Sequence, residues 1–76
     1  MPDEFLCPIT ASVMRDPVIA KDGHTYERAA IKEWFDQHPP PGCRSPMTNE
    51  LLKDGELLPN VTLRKLIQDY ENRIYR

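Results

Sequence analysis

Four side chains have the chemistry to hold a soft metal or to attack a carbonyl: Cys7, His24, His38 and Cys43. Together they could form one zinc site in principle, since structural zinc takes four ligands drawn largely from thiolates and imidazoles. Their spacing argues against it, because no Cys-x-x-Cys or His-x-x-x-His pair is present to seed the site. A Cys7–Cys43 disulfide has little more support, as nothing else in the chain suggests a secreted, disulfide-stapled fold. Cys43 as a nucleophile lacks an evident base or acidifying partner to activate the thiol. Sparse cysteine use fits a reducing, intracellular setting, cytoplasmic or nuclear.

The elements that must position any site are arranged around Asp22-Gly-His-Thr-Tyr-Glu-Arg-Ala-Ala-Ile-Lys-Glu-Trp34. Gly23 suits a tight turn, where a residue without a Cβ takes positive φ cheaply. Val18-Ile19-Ala20 and Thr25-Tyr26 flank it as the strands of a hairpin. From about Glu27 to Gln37 the spacing of Ala30, Ile31, Trp34 and Phe35 predicts a short amphipathic helix, with the Glu27 acid suited to the helix dipole at its start. Pro39-Pro-Pro-Gly42 ends that helix and opens a rigid loop. Upstream, Val13 and Met14 are expected to face inward; downstream, Leu57 and Leu58 return to the core. Asn60 is a good N-cap for a last helix, in which Val61, Leu63, Leu66, Ile67, Tyr70 and Ile74 recur at helical spacing. Core packing is the main expectation for that helix, with a partner or dimer contact at Tyr70–Tyr75 as the alternative. No internal repeat is expected.

Composition narrows the functional classes. Seventy-six residues make one small domain, near the size at which natural scaffolds recruit a metal or disulfides. The core is expected over about residues 3–74, as a module of a longer protein. A net charge of −2 leaves out the basic footprint that nucleic acid requires. No apolar run reaches the length of a membrane span, and no signal-peptide pattern opens the chain.

A further pattern lies in the intervals between Cys7 and Thr10, then Asp22, His24, Glu27 and Ala30, then Ser45 and Thr48. They are the ligand intervals of a cross-braced zinc domain, Cys-x-x-Cys, Cys-x-His-x-x-Cys-x-x-Cys and Cys-x-x-Cys, with most ligands replaced. The chain resembles a RING domain without its zinc, and so resembles a U-box. The resemblance runs through Phe5-Leu-Cys-Pro-Ile-Thr10, Met14-Arg-Asp-Pro-Val18, Gly23-His-Thr-Tyr-Glu-Arg28, Ala30-Ile31, Trp34, Ser45-Pro-Met-Thr48 and Leu58-Pro-Asn60. It implies a small α+β domain with two long loops, a short three-stranded antiparallel sheet, a central helix and a C-terminal helix.

Only Cys7 and His24 of the eight ligand positions keep the thiol or imidazole of a structural zinc site, so no bound metal and no cofactor is expected. Structural zinc supplies about 10–16 kcal/mol of apparent binding energy in small peptides, whereas a neutral hydrogen bond nets only about 1 kcal/mol. Polar networks must therefore share the work with apolar burial of Val18, Ile31, Trp34, Leu63, Leu66 and Ile67. One network is expected from Asp22, His24, Ser45 and Thr48 with Arg44 nearby, the other from Cys7, Thr10, Glu27 and Arg28.

The resemblance also implies a function. U-box proteins act as ubiquitin ligases, which bind a conjugating enzyme charged with ubiquitin and promote transfer to a substrate lysine without a covalent ligase intermediate. By position, Pro8, Ile9, Trp34, Pro41 and Pro46 would form the groove for the conjugating enzyme. Arg44 would be the basic residue bridging that enzyme and ubiquitin, or alternatively a member of the second polar network. Departures are the proline-rich second loop and the small Ala11. A non-catalytic docking or dimerisation module and a zinc-binding interaction domain are the competing readings. Substrate recruitment would fall to other domains.

Overall fold

A computed structural model of the chain describes residues 2–39 and 42–74. The hairpin forms where Gly23 allows it. Gly23 has φ 82° and donates its N–H to the Ala20 carbonyl at 3.0 Å, while Ala20 donates to the His24 carbonyl at 3.0 Å. Ala20 thus belongs to the turn, and the first strand, β1, covers Pro17–Ile19, one residue earlier than expected. Proline is tolerated there because the first residue of a strand need not donate to the ladder. The second strand, β2 (Thr25–Glu27), pairs antiparallel with β1, placing Val18 opposite Tyr26.

The central helix, α1, spans Arg28–Gln37. Glu27 stands just outside it with an extended backbone (ψ 131°) and makes no side-chain capping bond. Its carboxylate is committed to the Arg15 and Asp16 N–H groups just ahead of β1 instead of to the helix end. A short strand, β3 (Leu58–Pro59), adds to the other edge of β1, giving an antiparallel sheet of order β2-β1-β3. Asn60 then caps the C-terminal helix, α2 (Val61–Ile74), accepting the Leu63 N–H on Oδ1 at 3.1 Å. The α+β architecture is the expected one.

The core lies where the sheet meets the helices. Val18, Tyr26, Ile31, Ile67, Met14 and Cys7 are all buried, with Phe5, Val13, Trp34, Phe35 and Leu63 packed around them. Each large apolar side chain buried in this way contributes about 1.5–3 kcal/mol. Two expectations about this core are corrected. Leu66 is 52% exposed rather than buried, and Val61 of the same stripe 55%, since strands of two or three residues cover only the Leu63–Ile67 side of α2. Leu58 is likewise exposed, and of the pair only Leu57 packs inward, as alternation on extended chain requires. Tyr70 is half-buried, edge-on to Phe5 with ring centroids 5.6 Å apart, so it packs against the N-terminal segment. Tyr75 lies outside the described residues. Gly55 passes close to Phe35: a Cβ there would stand 3.2 Å from the ring, which would have to give by a few tenths of an ångström. Both cysteines are free and buried. No described helix is long and apolar enough to cross a membrane.

Candidate functional site

Two loops face outward from this frame, and they share one backbone template. In the first, Cys7 N–H donates to the Ser12 carbonyl at 2.8 Å, and Ala11 N–H donates to the Cys7 carbonyl at 2.8 Å. In the second, Ser45 N–H donates to the Glu50 carbonyl at 2.8 Å, and Asn49 N–H to the Ser45 carbonyl at 3.0 Å. Each loop has a threonine whose hydroxyl accepts the N–H two residues on, Thr10 from Ser12 and Thr48 from Glu50, both at 3.2 Å. Each has one non-glycine residue in the left-handed region, Ala11 at φ 57° and Asn49 at φ 64°. Each is closed by an isolated antiparallel bridge, Leu6 to Val13 and Arg44 to Leu51.

Cys-Pro-Ile-Thr-Ala-Ser and Ser-Pro-Met-Thr-Asn-Glu are therefore two copies of one knot, contrary to the expectation of no internal repeat. They share only proline and threonine, which is too little to register as a repeat. The template raises a proline and an apolar side chain at each tip: Pro8 with Ile9, and Pro46 with Met47.

The second knot is tied to the hairpin through Asp22. Its Oδ2 accepts from Ser45 Oγ at 2.5 Å and from Tyr26 Oη at 2.6 Å, and its Oδ1 accepts the His24 N–H at 2.9 Å. Ser45 Oγ also accepts the Met47 and Thr48 N–H groups, at 3.1 and 3.0 Å, which uses its one donor and both lone pairs. Burial pushes the Asp22 carboxyl up, but the bonds from Ser45, Tyr26 and the His24 N–H outweigh it and hold the group below the usual carboxylate range. Tyr26 is pushed well above the ordinary phenol range by burial and by the neighbouring carboxylate.

The first knot is tied to the strand–helix junction through Glu27. Its carboxylate accepts the Asp16 N–H at 2.7 Å and the Arg15 N–H at 3.0 Å. Glu27 N–H donates to Cys7 Sγ at 3.3 Å, and Arg28 Nε donates to Asp16 Oδ2 at 2.7 Å.

The structure thus brings together Asp22, Ser45 and the main chains of His24 and Thr48 in one cluster, and Cys7, Glu27 and Arg28 in the other. Thr10 stays within its own loop, where its hydroxyl is spent on Ser12. Tyr26 and Asp16 are the partners that the sequence did not disclose. Alternation marks Tyr26 as inward, but nothing in the residue pattern says where its hydroxyl ends. Among the described residues no group of three or more His, Cys, Asp or Glu is placed to hold a metal ion.

Between the first knot and α1 runs an open groove of about 480 Å³, with Ile9 and Trp34 as its large apolar side chains and Ala30, Glu27 and Glu33 on the helix side. Ile9 is 37% exposed and Trp34 half-buried. The Trp34 indole N–H donates to the Arg44 carbonyl at 2.9 Å, which braces the second knot against α1. The same ring packs against His38, with centroids 4.7 Å apart and the planes tilted by 47°. Pro8 and Arg44 are exposed and Pro46 half-buried, while Pro41 lies outside the described residues. The Arg44 guanidinium donates from Nη1 to the Asn49 carbonyl at 2.9 Å. Cys43 is fully buried with its thiol directed at the Arg44 carbonyl, and burial pushes that thiol's pKa up. This is the reverse of what an activated nucleophile needs.

Comparison with known proteins gives a consistent result. Residues 1–73 match the family model described as the U-box domain. The chain is 53% identical over 66 residues to "WD repeat, SAM and U-box domain-containing protein 1" of Danio rerio, covering 87% of this chain and 13% of the relative. It is 48% identical over 67 residues to the Homo sapiens protein of the same description, covering 88% and 13%. With "U-box domain-containing protein 32" of Arabidopsis thaliana it shares 48% over 73 residues, 95% of this chain and 9% of the relative. The chain thus spans roughly a tenth of the length of these relatives.

Proposed function

The chain belongs to the U-box family, and from that premise we propose that it is the ubiquitin-ligase module of a longer protein. It binds a conjugating enzyme carrying thioester-linked ubiquitin and promotes transfer to a lysine of a substrate recruited by other domains. In that transfer the lysine amine attacks the thioester carbonyl, a C–N bond forms as the C–S bond breaks, and the conjugating enzyme's thiol is released. The module forms no covalent intermediate. Its contribution is to hold two flexibly tethered partners in a reactive arrangement.

The observation that carries this reading is the apolar groove bounded by Ile9 and Trp34, set beside an exposed Arg44 on a loop braced by that same tryptophan. Anchors on rigid, proline-bearing knots lose little entropy on binding, which favours them as interface hot spots. Pro8 and Pro46 complete the docking surface in this proposal, together with Pro41. Arg44 bridges conjugating enzyme and ubiquitin, a role suited to a planar cation with several donors.

The test is discharge of ubiquitin from a panel of charged conjugating enzymes onto free lysine. Wild type should accelerate discharge, while Ile9→Ala and Arg44→Ala, both still folded, should lose the acceleration. A second reading, docking or self-association without stimulation, draws on Leu58, Val61 and Leu66, each more than half exposed on β3 and α2. A folded wild-type domain that stimulates no conjugating enzyme would favour it.

A further inference from the structure

We infer that Asn49 is a positioning residue for Arg44: its left-handed backbone aims a carbonyl that holds the Arg44 guanidinium in place. The inference rests on the bridging role proposed for Arg44. The two knots differ at the positions that matter here. Their backbones match bond for bond, but the first carries Leu6 in its closing bridge and Ala11 at the left-handed position, where the second carries Arg44 and Asn49. The second copy thus differs from the first by pairing a cation with a residue type enriched in left-handed backbone.

Asn49 is fixed at both ends of its peptide. Its N–H is committed to the Ser45 carbonyl at 3.0 Å, and its carbonyl receives Arg44 Nη1 at 2.9 Å. Ser45 in turn is anchored by Asp22, so the guanidinium is referred through three residues to the hairpin. The Trp34 indole N–H on the Arg44 carbonyl fixes the main chain of the same residue. An exposed arginine is thereby pinned at its backbone and at one guanidinium nitrogen. A guanidinium has five N–H donors, and this arrangement commits one of them. The others remain for a partner on each side. An arginine already held in position loses less rotamer freedom when it bridges two proteins than one swinging freely.

The test pairs substitutions at the left-handed position. Glycine adopts φ near 64° without strain, whereas valine there is a backbone outlier that would swing the carbonyl away. Asn49→Gly should keep the saturating rate of lysine discharge within about twofold of wild type. Asn49→Val should lower it roughly ten- to a hundredfold while half-saturation by the charged enzyme stays near the wild-type value, since the Ile9–Trp34 groove is untouched. The double variant Arg44→Ala/Asn49→Val should be no slower than Arg44→Ala alone, because both remove one device. Additive losses, or a wild-type rate in Asn49→Val, would overturn the inference while leaving the role of Arg44 standing. A wild-type rate in Arg44→Ala would instead remove the bridging role, and this inference with it. Should Asn49→Val fail to fold, nuclear magnetic relaxation of the wild-type Arg44 Nε–H decides. An order parameter above about 0.6 is expected for a held side chain, and a lower one would overturn the inference.

Discussion

Asp22 is the acceptor on which three donors converge, and the sign of its titration follows from them. Its folded pKa lies below the unfolded value, so its contribution is complete above the ordinary carboxylate pKa of about 4 and is lost as pH falls through the lower folded value. Asp22→Asn should therefore cost about 1.5–3 kcal/mol at pH 7, the worth of hydrogen bonds to a charged group. The gap from wild type should shrink as pH is lowered toward 3. Urea unfolding midpoints at the two pH values check this, and a gap independent of pH would contradict it. The sequence made Asp22 and Ser45 legible as partners because they occupy intervals that a metal would otherwise define. It did not make Tyr26, Asp16 or the isolation of Thr10 legible. A metal draws four donors to one point, whereas hydrogen bonds close pairwise and locally. Thr10 accordingly satisfies the nearest amide, two residues away, and Asp22 finds a phenol across the hairpin.

At the scale of elements, the hairpin and α1 could be read directly, because Gly23 needs positive φ and Ile31 and Trp34 need one helix face. The α2 boundary was equally clear from Asn60, whose side chain makes the expected capping bond. Periodicity could not tell which edge of the α2 stripe meets the sheet, since Leu63, Leu66, Ile67 and Tyr70 all satisfy it. Ile67 is 2% exposed and Leu66 52%. Ile67→Ala should therefore cost about 2–5 kcal/mol, and Leu66→Ala under about 1 kcal/mol, by denaturant unfolding. Equal losses would mean that α2 seats differently on β1. The doubled knot was not legible, because its identity lies in carbonyls and amides rather than in side chains. Two residues of different type, Ala11 and Asn49, share one backbone conformation that neither announces alone.

For the molecule as a whole, the two clusters fasten the second loop to the hairpin turn and the first to the strand–helix junction, using hydroxyls, carboxylates and a guanidinium. Incubation with a strong chelator, followed by dialysis, should leave the thermal midpoint unchanged. Loss of 1 kcal/mol at the midpoint would move a domain of this size by about 4–8 °C, so even a minor structural metal would be visible. The same choice of bracing atoms has a consequence under oxidative stress. A brace made of thiolates is also what peroxide and electrophiles attack first, because reactivity follows thiolate character and access. Here the bracing acceptors are mostly oxygens, and Cys7 and Cys43 are 1% and 0% exposed, with the Cys43 thiol further disfavoured from ionising by burial. Alkylation by iodoacetamide under native conditions should accordingly wait for unfolding, and mass spectrometry of intact protein would record rapid modification if it did not. A loop held by Asp22 and Ser45 keeps its shape in an oxidant that would dismantle a metal knuckle.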